Sequence, residues 1–134
     1  MKYLLDTNIL SDLVKRPQGM VFARIAAVGS DQVCTNLIVA AELRYGAAKR
    51  GSEKLTKQLE AILATLLVLP LEAPTDRHYG QLRAVLESQG TLIGPNDLLI
   101  AAHALALGAI PVTDNTREFE YVRGLVIENW LQPG

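Results

Sequence analysis

One cysteine, Cys34, stands in 134 residues, so the chain can close no internal disulfide. That lone thiol and two histidines give no spacing suited to zinc, and no glycine-rich loop cradles a nucleotide phosphate. Met1 leads straight into a short apolar run without the basic n-region or cleavage pattern of a secretory leader, so a cytoplasmic chain is expected. Long hydrophobic runs are missing too. Residues 62–71 and 98–107 are the longest apolar stretches, and they are too short or too interrupted to span a bilayer. Nor is charge of one sign in excess. Thirteen basic residues against fourteen acidic ones leave a net charge of −1, which excludes a polycation that coats any nucleic acid. Such contact would come from local patches or a bound metal.

What is present is an ample core. Hydrophobic residues make up 49% and charged residues 20%, the balance of a globular domain without a long disordered tail. At this length roughly two thirds of the unfolded surface can be buried, so residues 1–134 read as a single domain. Residues 3–5 form a short buried strand ending at Asp6, after which Ile9, Leu10, Leu13 and Val14 keep helical spacing as far as Pro17. A second helix covers 21–28, a weak strand 32–35, and a third helix 37–49, ended by Gly51. Ser52 and Glu53 open a fourth helix, in which Leu55, Leu59, Ile62, Leu63 and Leu66 recur at three and four residues, making a helical hairpin with the third. A strand at 67–69 follows. Thr75 or Asp76 caps a helix that stops at Gly90; Pro95 sits in the first turn of the next, which Gly108 ends. The strands 110–113 and 125–127 complete the chain. Alternating strands and helices predict an α/β domain, a mainly parallel sheet covered on both faces with right-handed crossovers.

Four acids adjoin or interrupt apolar runs rather than polar loops: Asp6, Glu42, Asp97 and Asp114. Isolated carboxylates are costly to remove from water, so several of them directed toward one core call for a cation or strong hydrogen bonds. In open α/β sheets the ligand crevice lies beyond the carboxyl ends of the strands, where Asp6 and Asp114 would project. Asp97 falls in the first turn of its helix, and Glu42 follows an apolar run on an inward face. All-oxygen ligands suit a hard cation, Mg²⁺ or Mn²⁺, which keeps several waters and takes one or two carboxylates directly. Taken singly, Asp6 and Asp97 also satisfy ordinary helix-capping chemistry.

Four ordered motifs carry a resemblance. Leu4-Leu5-Asp6-Thr7-Asn8; Ala41-Glu42-Leu43 with Tyr45-Gly46-Ala47; Gly94-Pro95-Asn96-Asp97 leading into Ile100-Ala101-Ala102; and Val112-Thr113-Asp114-Asn115-Thr116-Arg117-Glu118-Phe119 resemble the successive motifs of PIN-domain nucleases. The similarity extends to Glu128-Asn129-Trp130 and is nearest to VapC-type toxins of bacterial toxin–antitoxin pairs. It implies a PIN-like three-layer α/β/α fold and a Mg²⁺- or Mn²⁺-dependent endoribonuclease acting on tRNA or another structured RNA. It also implies a homodimer inhibited by a VapB-like antitoxin, in a higher assembly with it. In that family the acids matching Asp6, Glu42 and Asp97 build the metal site; Asp114 and Glu118 compete for the fourth place, with Asp114 preferred. Thr7, Asn8, Thr113 and Asn115 are polar neighbours suited to holding carboxylates or touching phosphate. A metal held by Asp6 and Asp97 would lower the pKa of a bound water, which Glu42 or Asp114 would orient.

The same residues admit other readings. A catalytically silent PIN-like interaction module would use the apolar faces of the first helices and of 55–66 to seat a partner helix. Two further α/β families end the first strand on an aspartate. The haloacid dehalogenase kind expects a second aspartate where Asn8 stands, and the receiver kind a lysine where Thr113 leads to Asp114. His103 reads as packing or surface, His78 as exposed, and Cys34 as an inert buried thiol. Lys15, Arg16, Lys49, Arg50, Lys54 and Lys57 are cations that could flank the crevice.

Overall fold

A computed structural model of the chain describes residues 2–133. Its elements run β1 (Tyr3–Leu5), α1 (Thr7–Lys15), α2 (Met20–Val28), a single 3₁₀ turn (Ser30–Gln32), β2 (Val33–Asn36), α3 (Leu37–Arg50) and α4 (Glu53–Ala64). They continue through β3 (Leu67–Leu69), α5 (Thr75–Ser88), α6 (Pro95–Leu107), β4 (Ile110–Val112) and α7 (Thr116–Phe119). The strands form one parallel sheet in the order β3-β2-β1-β4. From β1 the chain crosses outward to β2 and β3 and then returns to the far side for β4, which creates a switch point between β1 and β4. With the right-handed crossovers usual for parallel strands, this order sets α1–α4 on one face and α5–α6 on the other, giving three layers, and α1 packs on α2, α3 and α4 while α5 packs on α6.

Local signals explain most of the elements. Asp6 caps α1 by accepting from the Thr7 amide, Asn36 caps α3 through Val39, and Ser52 caps α4 through Leu55. Gly51 and Gly108 end α3 and α6 at φ +64 and +66, where a Cβ would be strained. α3 and α4 form the expected hairpin, tied across its outer face by Arg44 donating two hydrogen bonds to Glu60. Leu4 and Leu5 of β1 are fully buried among Ile9, Leu10, Val39, Ile100 and Val112. Being covered on both faces, β1 reads as a continuous apolar run without alternation.

Two expectations fail locally, and one element was not expected. Residues 125–127 are not a strand; the chain makes one parallel bridge, Val112 to Glu128, with Thr113 N–H donating to Glu128 and Glu128 N–H to Pro111. The reason is Pro111. The amides of Ile110 and Thr113 are engaged on opposite sides of β4, and the intervening outward-facing donor is missing because proline has no N–H. Neither Thr75 nor Asp76 caps α5: its N-cap is Pro74, and the Thr75 hydroxyl is buried without a partner. α7, with four residues, is too short to show periodicity and was unforeseen.

Candidate active site

Asp6 follows β1 at the switch point and is 3% exposed. Its backbone is fixed on both sides, with its amide donating to Val112 and its carbonyl accepting from Leu10. Oδ1 accepts from the Thr7 amide and Oδ2 from the Thr113 hydroxyl, each at 2.7 Å. Burial pushes this carboxyl above its usual range and the Glu42 charge adds to the rise, against the hydrogen bonds from Thr113 and Thr7. Thr113, fully buried just after β4, also accepts from the Asn115 amide at 2.9 Å. One hydroxyl thus joins the first strand's acid to the loop that follows the last strand.

Two more acids arrive on helices. Glu42, partly buried on α3, accepts at Oε1 from the Thr7 hydroxyl at 2.6 Å. Asp97, in the first turn of α6, accepts at Oδ2 from Asn115 Nδ2 at 2.9 Å. The same amide nitrogen donates to Glu118 Oε2 at 2.7 Å, and Glu118 Oε1 accepts from the Gly94 amide at 3.4 Å. Asp97 and Glu118 thus lie side by side, both accepting from one amide nitrogen. Burial, the Glu118 hydrogen bond and the charges of Asp6 and Glu118 raise Asp97 to about 8, against the Asn115 bond. Glu118 moves the other way, lowered first by the hydrogen bond from Asp97.

The structure therefore brings together Asp6, Glu42, Asp97 and Glu118, with Thr7, Thr113 and Asn115 as the links. Asp114 is exposed and accepts instead from Asn129 Nδ2 at 3.0 Å. Asn8 is exposed on the wall of a groove of about 230 Å³ that extends from Thr7 and Glu42 toward Lys15 and Arg50. Arg16 is paired with Asp12. Cys34 is buried, its thiol pushed up to about 11 by burial, which suits an inert side chain. His103 is buried and bonded to Asn36, and His78 is partly covered rather than exposed.

A divalent ion fits this donor set. Among the described residues no lysine or arginine forms an ion pair with Asp6, Glu42, Asp97 or Glu118. Burial and the neighbouring acids raise the Asp97 carboxyl, an effect that a cation among them would oppose. Among the described residues no group of three or more Asp, Glu, His or Cys side chains is placed to hold a metal ion by itself. A hard ion that retains its waters needs only one or two carboxylates.

Residues 3–125 match the PIN domain family. Ribonuclease VapC2 of Haemophilus influenzae is 40% identical over 132 residues, covering 98% of this chain and 99% of that protein. The chain is a PIN domain of the VapC family. This PIN domain is also 39% identical to the tRNA(fMet)-specific endonuclease VapC of Shigella flexneri, over 97% of its own length and 98% of that protein's. Its backbone matches a chain of the Rickettsia felis VapBC2 structure, bound to a DNA fragment from their promoter, with a TM-score of 0.88 at 35% identity, over 97% of this chain and 99% of that one. Sequence reading of the PIN domain did not single out Asn36, whose position between an end-of-strand threonine and an apolar helix start was the available signal.

Proposed function

We propose that this PIN domain is a metal-dependent endoribonuclease toxin, using Mg²⁺ or Mn²⁺, working in the cytoplasm and held inactive by a VapB-like antitoxin. One observation carries the reading: buried Asp6, half-buried Asp97, Glu42 and Glu118 converge at the sheet's switch point with no cationic side chain paired to them. The relatives named as VapC ribonucleases and the VapBC2 likeness support the substrate class and the partner. The Shigella relative's name favours tRNA as the RNA. A homodimer, assembled further with antitoxin, completes the proposal.

Asp6 and Asp97 would hold the ion. When bound, it supplies a water of lowered pKa and neutralises charge on the scissile phosphate. Thr7 and Thr113 fix Asp6 by two donors on two different oxygens, so its carboxylate cannot rotate away. Glu42, held at Oε1 by Thr7, leaves Oε2 to orient an attacking water and take its proton. Asn115 holds Asp97 and Glu118 side by side, which favours Glu118 over Asp114 as the fourth acid. No protein nucleophile is required, and the products would carry 3′-hydroxyl and 5′-phosphate ends.

The test incubates the purified chain, free of any partner, with total RNA and with tRNA, with and without Mg²⁺, alongside Asp6→Asn. The expected result is metal-dependent cutting that falls at least about 100-fold in the variant. Cyclic-phosphate ends would eliminate the water scheme. A well-folded protein that cuts nothing, yet binds antitoxin, would leave the silent interaction module.

A further inference from the structure

We propose that His103 is a positioning residue for the nuclease centre, holding Asn36 and with it the start of α3 in register with α6. The inference rests on the reading of Glu42 and Asp97 as site acids, for these are the acids that α3 and α6 carry. Asn36 is fully buried and His103 is 2% exposed. Asn36 Oδ1 accepts from the Val39 amide at 3.0 Å, which fixes the orientation of its amide group. Its Nδ2 therefore faces His103 and donates to Nδ1 at 3.0 Å. The imidazole must be neutral, with its proton on Nε2, because a proton on Nδ1 would oppose the Asn36 donor.

Among the described residues this is the one side-chain hydrogen bond joining α3 or its cap to α6. Glu42 lies less than two turns beyond Asn36, and Asp97 less than two turns before His103, each about 9 Å along its helix. Loosening the bond therefore frees the two helices to shift together with the acids they carry. Packing alone would be met by leucine, which has no polar atom to satisfy in a buried position. β2 is tied to β1 at the neighbouring residue by Thr35, whose buried hydroxyl donates to Leu5, the residue before Asp6, at 2.9 Å.

The experiment compares the wild-type chain with His103→Leu, His103→Asn, Asn36→Ser and the double variant His103→Leu/Asn36→Ser. Each is checked for folding by circular dichroism melting. Asparagine places Oδ1 near the position of the histidine Nδ1, so it can accept the same bond; serine keeps the helix cap but has no amide donor. Mn²⁺ affinity is measured by calorimetry without RNA, and kcat and KM by tRNA cleavage. His103→Leu is expected to weaken Mn²⁺ binding and to lower kcat about tenfold or more, with KM within about twofold. Asn36→Ser should match it, the double variant should be no worse than either, and His103→Asn should recover most of the loss. A folded His103→Leu chain with wild-type metal affinity and kcat overturns the proposal, as does a folded His103→Asn no better than His103→Leu. If the wild type binds Mn²⁺ but cuts no RNA, the nuclease reading fails while metal affinities still decide the role of His103. A wild type that neither binds metal nor cuts RNA overturns both.

Discussion

Asp97 is the residue whose chemistry is set most strongly by its surroundings. Its carboxyl is raised from 3.8 to about 8, so between those values the metal-free folded chain keeps a proton that the unfolded chain releases. The folded state binds more protons, and stability therefore falls as pH rises through this window. In chelator, the wild-type melting temperature is expected to be lower at pH 8 than at pH 5; Mg²⁺ should restore it at pH 8. Asp97→Asn should flatten that slope and raise the metal-free melting temperature at pH 8 while abolishing cleavage. Scanning calorimetry at both pH values checks this, and equal slopes in the two proteins would contradict it. The fourth acid is also a residue-scale matter. Glu118→Gln should lower kcat roughly 10- to 100-fold because it disturbs the pair around Asn115, whereas Asp114→Asn should stay within about threefold. Cleavage assays on the two variants, side by side, decide between the two carboxylates.

At the scale of elements, the caps and the hairpin show how local chemistry is turned into site geometry. Glu42 is carried by α3, and α3 is braced by α4, whose first turn depends on the Ser52 hydroxyl accepting from the Leu55 amide at 3.1 Å. Ser52→Ala should cost about 1 kcal/mol of stability, read as a lower urea midpoint at unchanged m-value. Helices were legible because α1, α4 and α6 carry long apolar periodicity or a Pro–Gly frame. β2, α7 and the cap of α5 were less so, since a few residues give periodicity nothing to repeat on. The supposed strand at 125–127 shows the limit differently. Its residues favour strand, but an extended pairing needs a donor from β4 that Pro111 cannot provide.

For the whole molecule, Trp130 closes the end of the chain onto its beginning. It is 1% exposed, its ring lies 5.2 Å from that of Tyr3 on β1, and its indole N–H donates to Glu128. Trp130→Ala should cost about 3–5 kcal/mol by loss of burial and the cavity left behind. Denaturant unfolding measures this, and the folded fraction should keep its kcat, since Trp130 touches none of the four acids. The sequence by itself determined the α/β class, the elements from β1 to β4 and the hairpin, and it offered Asp6, Glu42 and Asp97 as candidates, because each is written in periodicity, turn residues or local order along the chain. Only the tertiary structure decided that Glu118 stands beside Asp97 while Asp114 turns to Asn129, and that His103 meets Asn36 across the fold. Asp114 and Glu118 are four residues apart on a bend and a single helical turn, so spacing leaves both open; a hydrogen bond between residues 67 positions apart exists only once strands and helices have packed.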